Sequence, residues 1–188
     1  MKWTAVLFCV LVFLSSTTVA DVRLEILDLS TRAVRLTYEL EDNQAGNRVF
    51  LFPDGGFIHS ASRELFQVES VFDKNSKQEL EFEVLEAPDK GLPQLRITYP
   101  EPIKEGSKKL LSVSVCLNLP DKDLLIDAAG RYVFSYETSH PFEFVVPANH
   151  YVVYTNQAMM VFERGPNIVL SQSDKYVKNI VIKTRIKN

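Results

Sequence analysis

Cysteine is nearly absent from this chain, and its scarcity removes a whole class of architecture. Of two cysteines in 188 residues, Cys9 lies in an N-terminal apolar run and only Cys116 lies beyond it. A small secreted domain stapled by disulfides is therefore excluded. Cys116 sits in the strand-like stretch 110–117, where a packed free thiol is expected, with intermolecular pairing as the alternative. The Asn-x-Ser/Thr acceptor triplet is also missing, Asn75-Ser76-Lys77 being the nearest approach, so the chain itself is not an expected glycan acceptor. No apolar run approaches the roughly 20 residues needed to span a bilayer, so no transmembrane segment is expected. Charge of one sign is lacking too: the formal net charge is −3. That is too little to demand a cationic partner, and no clustered basic footprint for nucleic acid is present.

What stands at the start is a leader. Residues 1–20 read Met-Lys-Trp, an apolar stretch over 5–14, then Ser-Ser-Thr-Thr-Val-Ala. Thr18 and Ala20 occupy the −3 and −1 positions of a signal-peptide cleavage site. The expectation is a mature chain beginning at Asp21 in the lumen of the endoplasmic reticulum or beyond it. The chain is 46% hydrophobic and 24% charged, which suits a packed core. Its length after the leader fits one ordinary domain or two small ones.

Period-two alternation dominates that remainder. Apolar residues take every second place in 34–40, 79–84 and 95–99, and Leu111, Val113, Val115 and Leu117 line one face of a longer strand. Such alternation sets one side of a sheet on a core and the other in water. Further strands are expected over 22–27, 48–52, 65–72, 131–136, 151–154, 168–170 and 180–186. Turn chemistry separates them: Pro53-Asp-Gly-Gly56, Pro88-Asp-Lys-Gly91, Lys104-Glu-Gly-Ser107 and Pro120-Asp121. The pattern predicts an all-β fold, an antiparallel β-sandwich over 21–126, with 127–188 as its continuation or as part of a second β domain. Residues 60–66 are the best candidate for a single helical turn.

No catalytic constellation emerges, and no catalytic, metal or cofactor residue is assigned. His59, His140 and His150 have no zinc-ligand spacing, and Gly-x-Ser-x-Gly and phosphate-binding glycine loops are absent. Asp121, Asp123 and Asp127 begin like a calcium loop, but Leu125 stands at a ligand position and the closing glutamate is missing. Glu79, Glu81 and Glu83 fall on a solvated face, whereas general acid–base work needs a partly buried carboxyl. Rings concentrate in 132–136 and 140–144, as core or as a recognition surface. Met159-Met160 reads as core filling or as an adaptable groove. Residues 175–188 hold five basic residues and no acidic one, which makes either a half-buried strand with a solvated basic face or a contact for an anionic surface.

The order of features is similar to that of the ribophorin I family. The likeness rests on Val22-Arg-Leu-Glu-Ile-Leu-Asp-Leu-Ser-Thr31 directly after a leader, then Val34-Arg-Leu-Thr-Tyr-Glu-Leu40, Asn43-Gln-Ala-Gly46 and Val49-Phe-Leu-Phe52. It continues through Leu95-Arg-Ile-Thr-Tyr-Pro-Glu-Pro-Ile-Lys-Glu-Gly106 into Leu111-Ser-Val-Ser-Val115, then Tyr136-Glu137 and Thr155-Asn-Gln157, and spans residues 22–162. Tyr136-Glu-Thr-Ser139 departs from the family's aromatic-Glu-x-Asn, and His140-Pro-Phe142 replaces its Pro-Tyr. The family's later membrane span and cytosolic tail have no counterpart in these residues. The resemblance implies a non-catalytic luminal subunit of the oligosaccharyltransferase, partnered by other subunits of that complex and by nascent polypeptide. A secreted β-sandwich binding or adhesion module with an unrelated protein partner is the alternative.

Overall fold

The computed structural model describes residues 18–43, 48–51, 67–85, 94–176 and 178–187, and among them the fold is all-β, as the alternation predicts. Among the described residues fifteen strands are formed. In chain order they begin β1 (Thr18–Asp28), β2 (Ala33–Asp42), β3 (Arg48–Leu51), β4 (Gln67–Asp73) and β5 (Gln78–Glu79). Next come β6 (Glu81–Leu85), β7 (Gln94–Thr98), β8 (Lys109–Asn118), β9 (Leu124–Ile126) and β10 (Tyr132–Thr138). The last are β11 (Phe142–Val145), β12 (His150–Thr155), β13 (Met160–Arg164), β14 (Asn167–Gln172) and β15 (Lys178–Ile186). An eight-stranded sheet runs β13-β14-β11-β1-β2-β8-β4-β5. A four-stranded sheet runs β12-β15-β10-β9, and a three-stranded one β3-β7-β6. Every pairing is antiparallel except β1 with β11, which is parallel.

The pleat explains the core. Along β2, Val34, Leu36, Tyr38 and Leu40 are buried while Arg35, Thr37, Glu39 and Glu41 face outward. In register beside them on β8 stand Leu117, Val115, Val113 and Leu111, also buried. These residues form one hydrophobic cluster with Val22 and Leu24 of β1, Leu95 and Ile97 of β7, and Ile180 and Ile182 of β15. Strands from both sides of residue 126 share the eight-stranded sheet, because β11, β13 and β14 join β1. The first strand begins at Thr18, ahead of the expected cleavage point after Ala20, and its register with β2 shifts between Val19 and Asp21.

Outside the core, charge is matched on the large sheet. Glu143 accepts from both Arg23 (2.9 Å) and Arg164 (2.7 and 2.8 Å). Arg35 donates to Glu69 and to Glu25, Lys74 pairs with Glu39, and Lys108 with Glu41. Buried Asp73 feels opposing effects. Burial raises its proton affinity, but Lys109 at 2.6 Å and the amides of Asn75 and Ser76 outweigh it and hold the carboxyl below its usual range. Those amides belong to the β4–β5 turn, where Lys77 takes φ 57°. The Lys104–Ser107 turn forms as expected, with Gly106 at φ 77°, a backbone conformation that a side chain would strain.

Three strands arise where the alternation shows none. Residues 124–126, which fall between Asp123 and Asp127, form β9; residues 142–145 form β11; residues 160–164 form β13. The expected helical turn at 60–66 lies outside the described residues.

The two larger sheets meet through rings. Phe134 and Tyr136 of β10 face Phe142 and Phe144 of β11, with centroid separations of 4.9 Å for Tyr136–Phe142 and 5.1 Å for Phe134–Phe144. Phe134 and Phe142 lie nearly parallel, 7° apart, at 6.2 Å. The aromatic run is therefore core, the first of its two expected readings. Large aromatics bury much area, and their edge and face charges reward such offset geometry. Phe134→Ala is expected to cost about 3–5 kcal/mol in urea unfolding. Thr37→Ala, which removes only a 3.3 Å contact with Ser114 on the outer face, should cost under about 1.5 kcal/mol.

Candidate interaction surface at the open edge of the sandwich

Two edge strands, consecutive in the chain, leave one side of the sandwich open. β12 ends the four-stranded sheet and β13 ends the eight-stranded one. The connection between them, residues 156–159, is pinned by Asn156. Its side-chain oxygen accepts from the Val181 amide (2.6 Å), its Nδ2 donates to the Asn179 carbonyl (2.8 Å), and its own amide donates to the Val181 carbonyl (3.1 Å). Between the edges lies a groove of about 400 Å³, lined chiefly by Val152, Met159, Val161, Ile168 and Leu170, with His150 and Lys187 at one end.

Local sequence explains why the groove is apolar. On β13 and β14, Val161 pairs with Leu170 and Glu163 with Ile168, which sets these four side chains on one face. Leu170 is buried, whereas Val161 is 66% exposed because, among the described residues, no strand lies beyond it. Met159 both packs partly against the core and lines the groove, so the two expected readings meet in it, whereas Met160 is 60% exposed and belongs to neither.

A bulge shapes the other wall. Strict alternation along β12 would turn Tyr151 outward and Tyr154 inward. The register with β15 shifts between Val152 and Tyr154, so Tyr151 opposes Arg185 and Tyr154 opposes Lys183, both on the outer face. The Lys183 ammonium then sits 5.5 Å from the centroid of the Tyr154 ring, within the range of a cation–π attraction. On β15 the inward residues Ile180, Ile182 and Thr184 are buried and Arg185 is exposed, so the basic C-terminal run is a half-buried strand with a basic outer face.

The remaining expected site residues are dispersed. Asp127 closes its own turn, accepting from the amides of Ala129 and Arg131 and from the Arg131 side chain (2.7 Å). Asp121 pairs with Arg32 at 3.0 Å. Glu79, Glu81 and Glu83 are exposed, with Glu83 3.3 Å from Arg96. Cys116 is a free thiol beside Glu69 and Arg35; burial, then the Glu69 carboxylate, pushes it up to about 11. His140 anchors the β10–β11 corner, its amide donating to Thr138 Oγ1 at 3.0 Å, and His59 lies outside the described residues. Among the described residues no group of three or more His, Cys, Asp or Glu is placed to hold a metal ion.

Among the described residues His150 is the one histidine at the groove, and it is 1% exposed. Its Nδ1 lies 3.0 Å from Thr184 Oγ1, the Tyr132 ring packs against it tilted by 52° at a centroid separation of 5.2 Å, and its Nε2 is enclosed without a protein partner among the described residues. Burial, and then the Lys187 charge, hold its imidazole below the ordinary histidine range. A depressed value means that the folded chain binds fewer protons than the unfolded one. The stabilisation is complete above the unfolded value of about 6.5 and is lost as pH falls toward the folded one. The urea midpoint should therefore fall between about pH 7.5 and about pH 5.5, and His150→Asn should show a smaller fall.

No family model matches the sequence, and no curated protein matches it. Among solved structures the fold is similar to a point variant of an M1 zinc metallopeptidase from Deinococcus radiodurans, at 13% identity and a TM-score of 0.50. That match covers 89% of this chain and 42% of the metallopeptidase. Native yeast LTA4 hydrolase is similar at 11% identity and a TM-score of 0.55, over 89% of this chain and 29% of that one. The chain thus spans less than half the length of either. At such identities the likeness is one of fold: this β architecture also occurs as a portion of larger proteins.

Proposed function

We propose that this chain is a non-catalytic luminal accessory subunit of the oligosaccharyltransferase, held in the endoplasmic reticulum lumen through the complex. The observation that carries the reading is where the ribophorin-like segments lie. Residues 22–31 and 34–40 supply most of β1 and β2, which pair from Thr18↔Glu41 to Asp28↔Ala33 at the middle of the eight-stranded sheet. The likeness therefore falls on strands that determine the fold. Support also comes from the leader-like N-terminus and from the two adjoining edge strands, which offer neighbouring subunits or a nascent chain a place to dock. In this role the chain shapes the luminal surface around a catalytic subunit and leaves glycan transfer to it.

The second reading, a secreted β-sandwich binding module with an unrelated partner, draws on the same open edge, since exposed apolar residues there suit any protein partner. Localisation separates the two. The full chain, tagged at its C-terminus and expressed in a eukaryotic cell, should be protease-protected in microsomes. It should also co-purify, after mild detergent extraction, with activity that transfers glycan to an Asn-x-Thr acceptor peptide. Recovery solely from the medium, as a free monomer, overturns the subunit reading in favour of the secreted module.

A further inference from the structure

We propose that the outer face of the four-stranded sheet, where β12 meets β15, binds an extended acidic segment of another protein laid along β15. The register sets two rows across this face. One runs Tyr154, Lys183, Val133 and Leu125, and the other places Tyr151 beside Arg185. These side chains point away from the core, because Leu124, Phe134, Ile182 and Thr184 alternate with them and are buried. Tyr151, Tyr154, Leu125 and Arg185 are exposed and Lys183 is half-buried.

This face leaves charge unneutralised. On the large sheet, Arg23, Arg35, Lys74, Lys108, Lys109 and Arg164 each face a carboxylate. On β12 and β15 there is none to face, since residues 150–155 and 178–187 hold neither Asp nor Glu. Among the described residues Lys183 and Arg185 make no ion pair, and Lys183 rests on the Tyr154 ring. The acids that border the face are engaged or distant. Asp127 is held by Arg131 at 2.7 Å. Asp123 lies beyond β10, at the level of Val181. Glu137 stands opposite Asn179, four residues and about 13 Å along β15 from Lys183. That separation exceeds the screening length of about 8 Å at physiological ionic strength. Lys183 and Arg185, two residues and about 7 Å apart on one strand, therefore repel without a local counter-charge.

Their spacing describes the occupant. An extended chain turns every second side chain to one side at the same repeat of about 7 Å, so carboxylates at i and i+2 meet Lys183 and Arg185 together. The tyrosine rings then flank the aliphatic stems of those acids. Two free cations are too few for a membrane surface, which draws on clusters of about 4–8. The chain's own alternating acids, Glu79, Glu81 and Glu83, belong to the other two sheets, and Glu83 already lies beside Arg96. A second copy bound through them would make a head-to-tail contact that does not close.

The test is an NMR titration of the isotope-labelled full chain with an octapeptide of alternating Glu and Ser. A Lys/Ser octapeptide is the charge control, and a peptide with the same number of glutamates at every third position is the spacing control. Shift changes should be confined to the amides of β12 and β15 and to Val133, leaving β13 unmoved. The alternating acidic peptide should bind at least about tenfold more tightly than either control. The double variant Lys183→Glu, Arg185→Glu should reverse the charge preference, and Lys183→Gln with Arg185→Gln should remove it. Tyr154→Ala should weaken the acidic peptide by about threefold. Both charge variants alter only the solvent side of the sheet, so their urea midpoints should match that of the parent chain.

Equal binding of the acidic and basic peptides, equal binding of the spacing control, shift changes centred on β13, or failure of any peptide to bind overturns the proposal. So does concentration-dependent self-association that the charge reversal abolishes, which makes a second copy the occupant. Binding to phosphatidylcholine vesicles containing phosphatidylserine, without binding to peptide, overturns it in favour of a membrane. The inference does not rest on membership of the oligosaccharyltransferase. Co-purification can succeed while the peptides fail, and the reverse.

Discussion

The packing of Phe134 and Tyr136 against Phe142 and Phe144 sets the relation between the two larger sheets, and the rest of the molecule depends on it. The four rings stand on consecutive strands, but those strands belong to different sheets. The chain must therefore cross from one layer to the other over residues 139–141. At that corner Thr138 accepts from the His140 amide and the Pro141 carbonyl accepts from Val22, which starts the parallel pairing of β11 with β1. Crossing there places β11 between β1 and β14, so the C-terminal strands extend the first sheet instead of building a separate core. Four aromatic side chains buried at one junction supply several kcal/mol of burial, of the order of 2 per ring.

The same crossing produces the open edge. Once β11 has joined the large sheet, β12 returns to the small one and β13 to the large one, so successive strands end opposite sheets. With no described strand beyond either of them, Val161 and Met160 remain exposed and the groove stays accessible. Apolar surface beside unpaired backbone is costly to leave in water and prone to pairing with other chains. The Val153 bulge protects β12 and turns Tyr154 onto Lys183, so the outer wall gains aromatic and basic character together. The opposite faces of the molecule differ for a simple reason. Salt bridges neutralise the large sheet in place, whereas the β15 cations find no carboxylate in register beside them.

Much of the fold was legible because half-buried strands write their burial into alternation. β2 and β8 bury every second residue, and each was anticipated to within about two residues at either end, the usual uncertainty of strand limits. The missed strands violate that rule in opposite ways. β11 is buried on both faces, since Arg23 and Arg164 cover even Glu143, so it shows no period. β13 is exposed at four of its five positions, and β9 is too short to show a pattern. The open edge could not be read in advance because it comes from what β13 lacks as a neighbour, and the outward turn of Tyr154 from a bulge that leaves no periodic mark. The basic run at 175–188 was a visible signal, but only pairing with β12 places it beside exposed tyrosines.

Native-state hydrogen exchange tests most directly whether the aromatic junction makes the two sheets one unit. With urea rising through the sub-denaturing range, the amides at the centres of β2 and β8 and those of β10 and β15 should converge on a single opening free energy, equal to that of global unfolding. If β10 and β15 exchange through an opening that leaves β2 and β8 protected, the small sheet detaches on its own. The rings would then not be what holds the sandwich, and its open edge, in register.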